Sequence, residues 1–183
     1  MQITAMDGLV ALAAVPEADI PHTARIMADL SLFDCCVVAL AGVHEPASCM
    51  VRDLVLDEDG RPAASLIGAS RKVPPRAAAL ANGATAHALD YDDTHFAHVG
   101  HPSVAVLPAA LAIAEDRGLS AAALRDAFLV GAEASICLGV VLGQRHYDHG
   151  FHQTATAGCF GASVAAGRLL DLGPQRLRMA LSL

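Results

Sequence analysis

The chain has 183 residues, of which 54% are hydrophobic, 17% charged and 4% aromatic, and its formal net charge is -7. This length fits one domain or a portion of a larger one. The high apolar content and the low charge exclude a disordered chain. The excess of acidic residues disfavours nucleic acid and anionic membranes as partners, because both repel a negative surface.

Neither a membrane span nor a secretory signal is predicted. The longest uninterrupted apolar run, 104–114, has 11 residues, whereas a membrane helix needs about 18 or more. No basic residue precedes an apolar stretch at the start of the sequence, so no signal peptide is predicted. The five cysteines include no C-x-x-C pattern, which indicates free thiols in a reducing compartment. We therefore expect a cytoplasmic protein.

Helical periodicity dominates the sequence and predicts an all-α fold. The first long helix is predicted from Pro21 to Ala41, with Gly42 as its end. Its apolar residues recur every three or four positions, at Ile26, Leu30, Phe33, Val37 and Ala41.

The middle of the chain continues this pattern. Helices are predicted over 46–56, from Pro75 onward and over 102–117. Pro108 is expected to disturb the first turns of the last of these, because proline lacks a backbone N–H. The stretch 61–74 fits either a short strand or a loop.

The next helix is predicted to begin after Ser120, a good N-cap residue. Its apolar stripe includes the small residues Gly131 and Ser135, which indicates close contact between helices rather than a sheet. A polar loop is predicted over 144–153, followed by a helix over 154–170.

A final helix is predicted from Pro174. The chain stops inside an apolar phrase, 179–183, without a cap or polar tail. We therefore expect residues 1–183 to form a single unit that is the front portion of a larger helical domain.

Chemistry-bearing side chains concentrate in two short windows. Three acidic residues, Asp90, Asp92 and Asp93, lie in the first window. The histidines of the two windows are His87, His95, His98 and His101, and then His146, His149 and His152. Both windows follow predicted helices, where functional groups often lie. The sequence therefore predicts that any site is built from these windows.

Three interpretations of the windows stay open on the residues alone. Each window contains H-x-x-H-x-x-H, and two histidines with a carboxylate can bind Zn or Fe, although a loop gives this spacing no fixed geometry. The histidines could also be solvated at helix ends. Paired His and Asp could transfer protons on a small acid, with helix N-termini at Ser103 and Thr154 as donors to carboxylates. Lys72 is the only lysine in the chain.

Four phrases resemble one family. They are A-N-G-A at 81–84, H-A-L-D-Y-D-D-T at 87–94, H-P-S at 101–103 and G-F-H-Q-T-A-T at 150–156. They are similar to the MmgE/PrpD family, whose named member is 2-methylcitrate dehydratase. The resemblance implies a large all-helical domain with a smaller α+β lid, usually in a homodimer, and this chain matches its N-terminal part without the lid.

The resemblance also implies an activity and its residues. Family members act next to a carboxylate of a small di- or tricarboxylic acid without a metal or other cofactor. Asp90, His101 and His152 correspond to catalytic residues, while Thr94 and Ser103 would hold substrate oxygens. Asp92 and Asp93 are expected to brace the loop, and the family's active-site lysines lie beyond the last residue of this chain.

Dehydration of a 2-methylcitrate-like acid is favoured as the family's defining activity. Activity like that of cis-aconitate decarboxylase or iminodisuccinate epimerase remains an alternative. A metal-binding hydrolase and an inert fragment also remain open.

Overall fold

The computed structural model describes residues 4–183, and most of them are helical, as the sequence predicts. The elements are α1 (Ala5–Ala13), α2 (His22–Ala41), α3 (Pro46–Leu56), β1 (Ala64–Ser65), β2 (Lys72–Val73), α4 (Pro75–Ala86), α5 (Pro102–Arg117), α6 (Ala121–Asp148), α7 (Gln153–Thr156), α8 (Gly158–Leu169) and α9 (Pro174–Leu181). The two strands pair antiparallel, so the ambiguous stretch before α4 is a short hairpin. The all-α prediction is confirmed.

Local signals in the sequence set most helix boundaries. The hydroxyl of Ser120 accepts the N–H of Ala123 and caps α6. Helix α5 runs through the buried Pro108 and ends at Gly118, which adopts the left-handed conformation common after helices.

The structure differs from prediction in several places. Residues 144–148 continue α6 beyond a kink at Gly143 and leave a loop of only four residues. Helix α1 was not predicted, and the helix predicted over 154–170 is divided into α7 and α8.

The centre of the domain is the packing of α5, α6 and α8. At the crossing of α6 and α8, a Cβ on Gly131 would lie 2.6 Å from the carbonyl oxygen of Gly161. A Cβ on Gly161 would lie 2.5 Å from the carbonyl oxygen of Gly131 and 2.9 Å from Cβ of Ser135. The two backbones are therefore in contact, and the close helix packing predicted from small residues is confirmed.

The stripe that predicted α2 is its exposed face. Phe33 is 72% exposed and Leu30 is 56% exposed. The buried face instead carries Ala28, Cys35 and Ala39, which belong to the main core cluster. Small side chains allow α2 to approach its neighbours closely, so periodicity identified the helix but not the face that packs.

Two helical segments, His22–His44 and Ala121–Asp148, are long and apolar enough to cross a membrane by length and composition. The sequence predicts no membrane span, and core helices of globular proteins share this length and composition. In this structure α6 packs against α1, α2, α5 and α8, which buries part of its apolar surface.

An ion pair between Arg25 in α2 and Asp126 in α6 links the two helices. Arg25 donates from Nε to Oδ1 of Asp126 at 3.0 Å and from Nη2 to Oδ2 at 2.7 Å. The same guanidinium reaches the carbonyl oxygens of Glu17 and Ile20, so it also holds the segment before α2. The hydrogen bonds from Arg25 lower the pKa of Asp126.

Asp126→Asn is expected to lower the free energy of unfolding at pH 7 by on the order of 2 kcal/mol, because it leaves the guanidinium without its carboxylate. The folded pKa of Asp126 lies below the unfolded value of about 3.9. The contribution is therefore present above that value and is lost as pH falls through the folded pKa. Urea unfolding at several pH values measures this, with Asp53→Asn, at an exposed aspartate of α3, as control. Equal losses in the two variants would contradict the prediction.

Candidate active site

A cavity of about 560 Å³ lies where the end of α4, the following loop, the end of α6 and the start of α7 meet. Four of the predicted site residues line it together: Asp90, Thr94, His101 and His152. No lysine or arginine among residues 4–183 lines this cavity. Residues of the two histidine windows thus line one cavity, and the described residues bring no positive side chain to it.

His101 is oriented by the backbone. Its Nδ1 lies 3.0 Å from the carbonyl oxygen of Asp92, so Nδ1 carries the proton that is donated to that oxygen. In the neutral ring, Nε2 is then unprotonated, and it lies 3.4 Å from Oδ1 of Asp90. A histidine held in this tautomer can accept a proton from a molecule in the cavity and return one.

Asp92 contacts both His87 and His101 and holds the two rings next to each other. Its side chain is completely buried, and Oδ1 accepts a hydrogen bond from Nδ1 of His87 at 2.9 Å. The rings of His87 and His101 contact edge to face, with centroids 5.0 Å apart. Sequence reasoning missed His87 as a site residue, although it lies in the first window at the end of α4, only three residues before Asp90.

Asp90 adopts an uncommon backbone conformation. Its φ is +55°, in the left-handed region that aspartate tolerates better than most residues. The side chain is 75% exposed, and Oδ1 lies 3.8 Å from Nε2 of His87 as well as near His101. The turn therefore places a solvated carboxylate between two imidazoles at the mouth of the cavity.

Ser103 lies outside the cavity. It is completely buried, and its hydroxyl donates to Oδ2 of Asp93 at 2.6 Å. Oδ1 of Asp93 accepts the N–H of Ser103 at 3.2 Å, so Asp93 caps the start of α5. The predicted bracing role of Asp93 agrees with this geometry. The predicted contact of Ser103 with substrate oxygens finds no support in it, because the hydroxyl is already occupied.

A kink in α6 brings the second window to the cavity. Gly143 has φ +66° and ψ −177°, a conformation that is nearly restricted to glycine. The buried Gln153 donates from Nε2 to the carbonyl oxygen of Gly143 at 3.0 Å and holds the kink from α7. Beyond it, the rings of Tyr147 and His152 lie 4.9 Å apart, and both line the cavity.

Gly143→Ala is expected to lower the free energy of unfolding by about 1–3 kcal/mol through backbone strain alone, because an added Cβ would meet no atom within 4 Å. Chemical unfolding measures the loss. Gly8→Ala in α1 is the matched control, since its Cβ is equally free and its backbone is helical. We expect Gly8→Ala to be neutral or stabilising. A Gly143→Ala variant as stable as wild type would show that the kink is not strained.

Among the described residues, two of the window histidines and two aspartates could together hold a metal ion. Potential ligand atoms of His87, Asp90, Asp92 and His101 lie within 4.8 Å of one another. Among the described residues, the three histidines of an H-x-x-H-x-x-H pattern do not bring their ring nitrogens together at one point. In the second window, His146 contacts the hydroxyl of Thr156 at 2.9 Å instead. The cluster fits two imidazoles and a carboxylate as ligands.

Comparison with known proteins identifies relatives of one kind. A cis-aconitate decarboxylase-like protein of Aspergillus oryzae is 29% identical over 174 residues, which cover 91% of this chain and 36% of that protein. The cis-aconitate decarboxylase of Aspergillus terreus is 29% identical over 90% of this chain and 35% of its own length. The human cis-aconitate decarboxylase is 34% identical over 61% of this chain and 24% of its own length. The chain thus spans about a third of the Aspergillus relatives.

A family model covers nearly the whole sequence. The model of the MmgE/PrpD N-terminal domain matches residues 11–183, which include both histidine windows and all the helices from α2 to α9. The chain therefore belongs to the MmgE/PrpD family.

Proposed function

We propose that this chain supplies the acid–base part of a lyase site that acts next to a carboxylate of a small di- or tricarboxylic acid. The observation that carries the proposal is the orientation of His101, whose Nε2 is unprotonated in the neutral ring and faces the cavity beside Asp90. His152 lines the same cavity and is the second candidate for proton transfer. Thr94 also lines it and can hold a carboxylate or hydroxyl oxygen.

Two reactions fit this pair of histidines. Loss of carbon dioxide from an unsaturated acid leaves a carbanion, and it takes up a proton that Nε2 of His101, or His152, has first accepted from solvent. Dehydration requires a base to remove the proton next to the carboxylate and an acid to protonate the departing hydroxyl. The relatives named above favour decarboxylation of cis-aconitate as the first candidate. Dehydration of a 2-methylcitrate-like acid, favoured from the sequence, becomes the second.

Positive groups must complete the site. A tricarboxylate carries about three negative charges near neutral pH, and the described lining of the cavity offers no lysine or arginine to balance them. We therefore propose that cationic side chains reach the cavity from outside residues 4–183. The homodimer and the cytoplasmic location also stay proposals; the mass of the natural protein in solution tests the first and fractionation of cells the second.

The test is an assay of the natural protein that contains this domain. Cis-aconitate, 2-methylcitrate and related acids are offered separately with a chelator present, and gain or loss of the conjugated C=C absorbance is followed. We expect one of the two named acids to be converted at a rate that the chelator does not change. Silence with every acid would overturn the proposal.

A metal-dependent reaction is the alternative to acid–base catalysis by histidines, and the His87, Asp90, Asp92 and His101 cluster is the observation that favours it. It predicts that the purified protein carries about one equivalent of a transition metal and that chelation lowers its stability. Metal content by mass spectrometry, together with unfolding with and without the chelator, distinguishes the two candidates. Metal-free protein with full turnover would exclude this one.

A further inference from the structure

His98 is completely buried, although it lies in the same loop as Phe96, whose side chain is 95% exposed. Burying an imidazole while a phenyl ring stays in solvent is the reverse of what hydrophobicity selects. Neither ring nitrogen has a hydrogen-bond partner of standard geometry among the described residues, although a backbone contact with Ser135 in α6 partly opposes the lowering of its pKa. Burial lowers the pKa of His98, which favours the neutral ring. The position of this side chain therefore needs a steric explanation.

Gly139 in α6 provides the space for the ring. A Cβ at this position would lie 2.0 Å from Nδ1 of His98, 2.9 Å from Cγ and 3.0 Å from Cε1. No side chain can be added there without expelling the imidazole or moving the helix. The imidazole therefore fills a notch in α6 that exists because residue 139 is glycine.

The rest of the loop is held in a strained conformation. Val99 has φ +56°, which is unfavourable for a β-branched residue. Its N–H donates to the carbonyl oxygen of His95 at 2.9 Å, and the N–H of His95 donates to that of Gly100 at 3.0 Å. A strained loop persists only where its surroundings fix it, and the notch provides one such fixed point.

The far end of the loop is fixed on α7. A Cβ on Gly100 would lie 2.9 Å from both N and Oγ1 of Thr154, so the loop and α7 touch there. The N–H of His101 donates to Oγ1 of Thr154 at 2.9 Å. Residues 94–101 are thus attached to α6 through His98 and to α7 through Thr154, with Thr94 and His101 at their two ends.

We propose that His98 is a positioning residue, whose ring in the Gly139 notch fixes residues 94–101 so that Thr94 and His101 face the cavity. The effect on turnover rests on the proposed function. The fixing of the loop does not, because it follows from the packing alone.

Hydrogen exchange of the natural protein tests the fixing directly. The N–H groups of His95 and Val99 report the loop, since both are bonded within it. We expect them to exchange roughly tenfold or more faster in His98→Ala and Gly139→Ala than in wild type. Gly8→Ala, also a helical glycine but with open space around it, is the matched control and should leave them unchanged.

The kinetic parameters test the positioning role. In Gly139→Ala we expect kcat to fall roughly tenfold or more with little change in KM, because a displaced His101 weakens proton transfer more than binding. His98→Leu, which retains the volume of the ring without its nitrogens, should keep kcat within roughly threefold of wild type. Both substitutions act on one contact, so Gly139→Ala should cost less stability in a His98→Ala background than alone.

Three outcomes would overturn the proposal. If the N–H groups of His95 and Val99 exchange in Gly139→Ala at the same rate as in wild type, the notch does not fix the loop. Faster exchange with unchanged kcat would remove the positioning role. Additive losses of stability in the double variant would show that the two residues do not act through one contact. If no acid is turned over, the proposed function fails, but the exchange rates still decide whether His98 fixes the loop.

Discussion

His101→Asn is expected to lower kcat of the natural protein by about 10²–10⁴-fold, because it removes the nitrogen that exchanges protons with the substrate. The asparagine amide can still donate to the carbonyl oxygen of Asp92, where Nδ1 of His101 donates now. The fold and substrate binding should therefore change little. Steady-state kinetics on the accepted acid, together with the unfolding midpoint, separate loss of chemistry from loss of structure.

His149→Asn is the matched control for this substitution. His149 also contacts a backbone carbonyl through Nδ1, that of Arg145, but it is exposed and does not line the cavity. We expect kcat of His149→Asn to equal that of wild type. A comparable loss of turnover in both variants, or none in His101→Asn, would remove His101 from the reaction.

Gly161→Ala is expected to lower the free energy of unfolding by about 3 kcal/mol, near the upper end for overpacking. The added Cβ would lie 2.5 Å from a carbonyl oxygen of α6, and backbone cannot move aside as a flexible side chain can. Helices α6 and α8 would have to separate, which also disturbs α7 between them. For a domain of this size the melting temperature should fall by roughly 6–12 °C.

Gly83→Ala provides the comparison for the helix crossing. Gly83 also lies inside a helix, α4, but the nearest atom to its added Cβ would be 3.7 Å away, an ordinary contact. Alanine there should be neutral or slightly stabilising, because it favours helix over glycine. Similar melting temperatures for Gly161→Ala and Gly83→Ala would show that α6 and α8 are not in backbone contact.

Much of the fold could be predicted because its signals are local. Helices α3 and α5 begin at prolines, and the predicted ranges 46–56 and 102–117 match the structure. The Ser120 cap and the small residues at the crossing of α6 and α8 were likewise readable in the sequence. Each of these features depends on a few neighbouring residues or on one helical face.

Features that depend on distant contacts were not predictable. The buried face of α2 is decided by the helices packed against it, so its larger apolar side chains lie outside. The continuation of α6 past Gly143 depends on Gln153, ten residues later. Packing between segments also decides that the hydroxyl of Ser103 donates to Asp93. It likewise decides that His98 is buried while Phe96 is exposed.

The site depends both on local sequence patterns and on contacts between distant segments. The two histidine windows were identified by composition. Of the five residues that the resemblance selected, Asp90, Thr94, His101 and His152 line one cavity and Ser103 does not. The tautomer of His101 could not be predicted, because it depends on a carbonyl oxygen that the turn after Asp90 brings into position.

The most direct test of the acid–base account is proton NMR of the natural protein with cis-aconitate in deuterated water, for wild type and His101→Asn. Decarboxylation must place one solvent deuteron on the substrate carbon skeleton. We expect a deuterium-labelled product from wild type and a rate at least about 100-fold lower from His101→Asn. Labelled product at the wild-type rate from the folded variant would contradict the role assigned to His101.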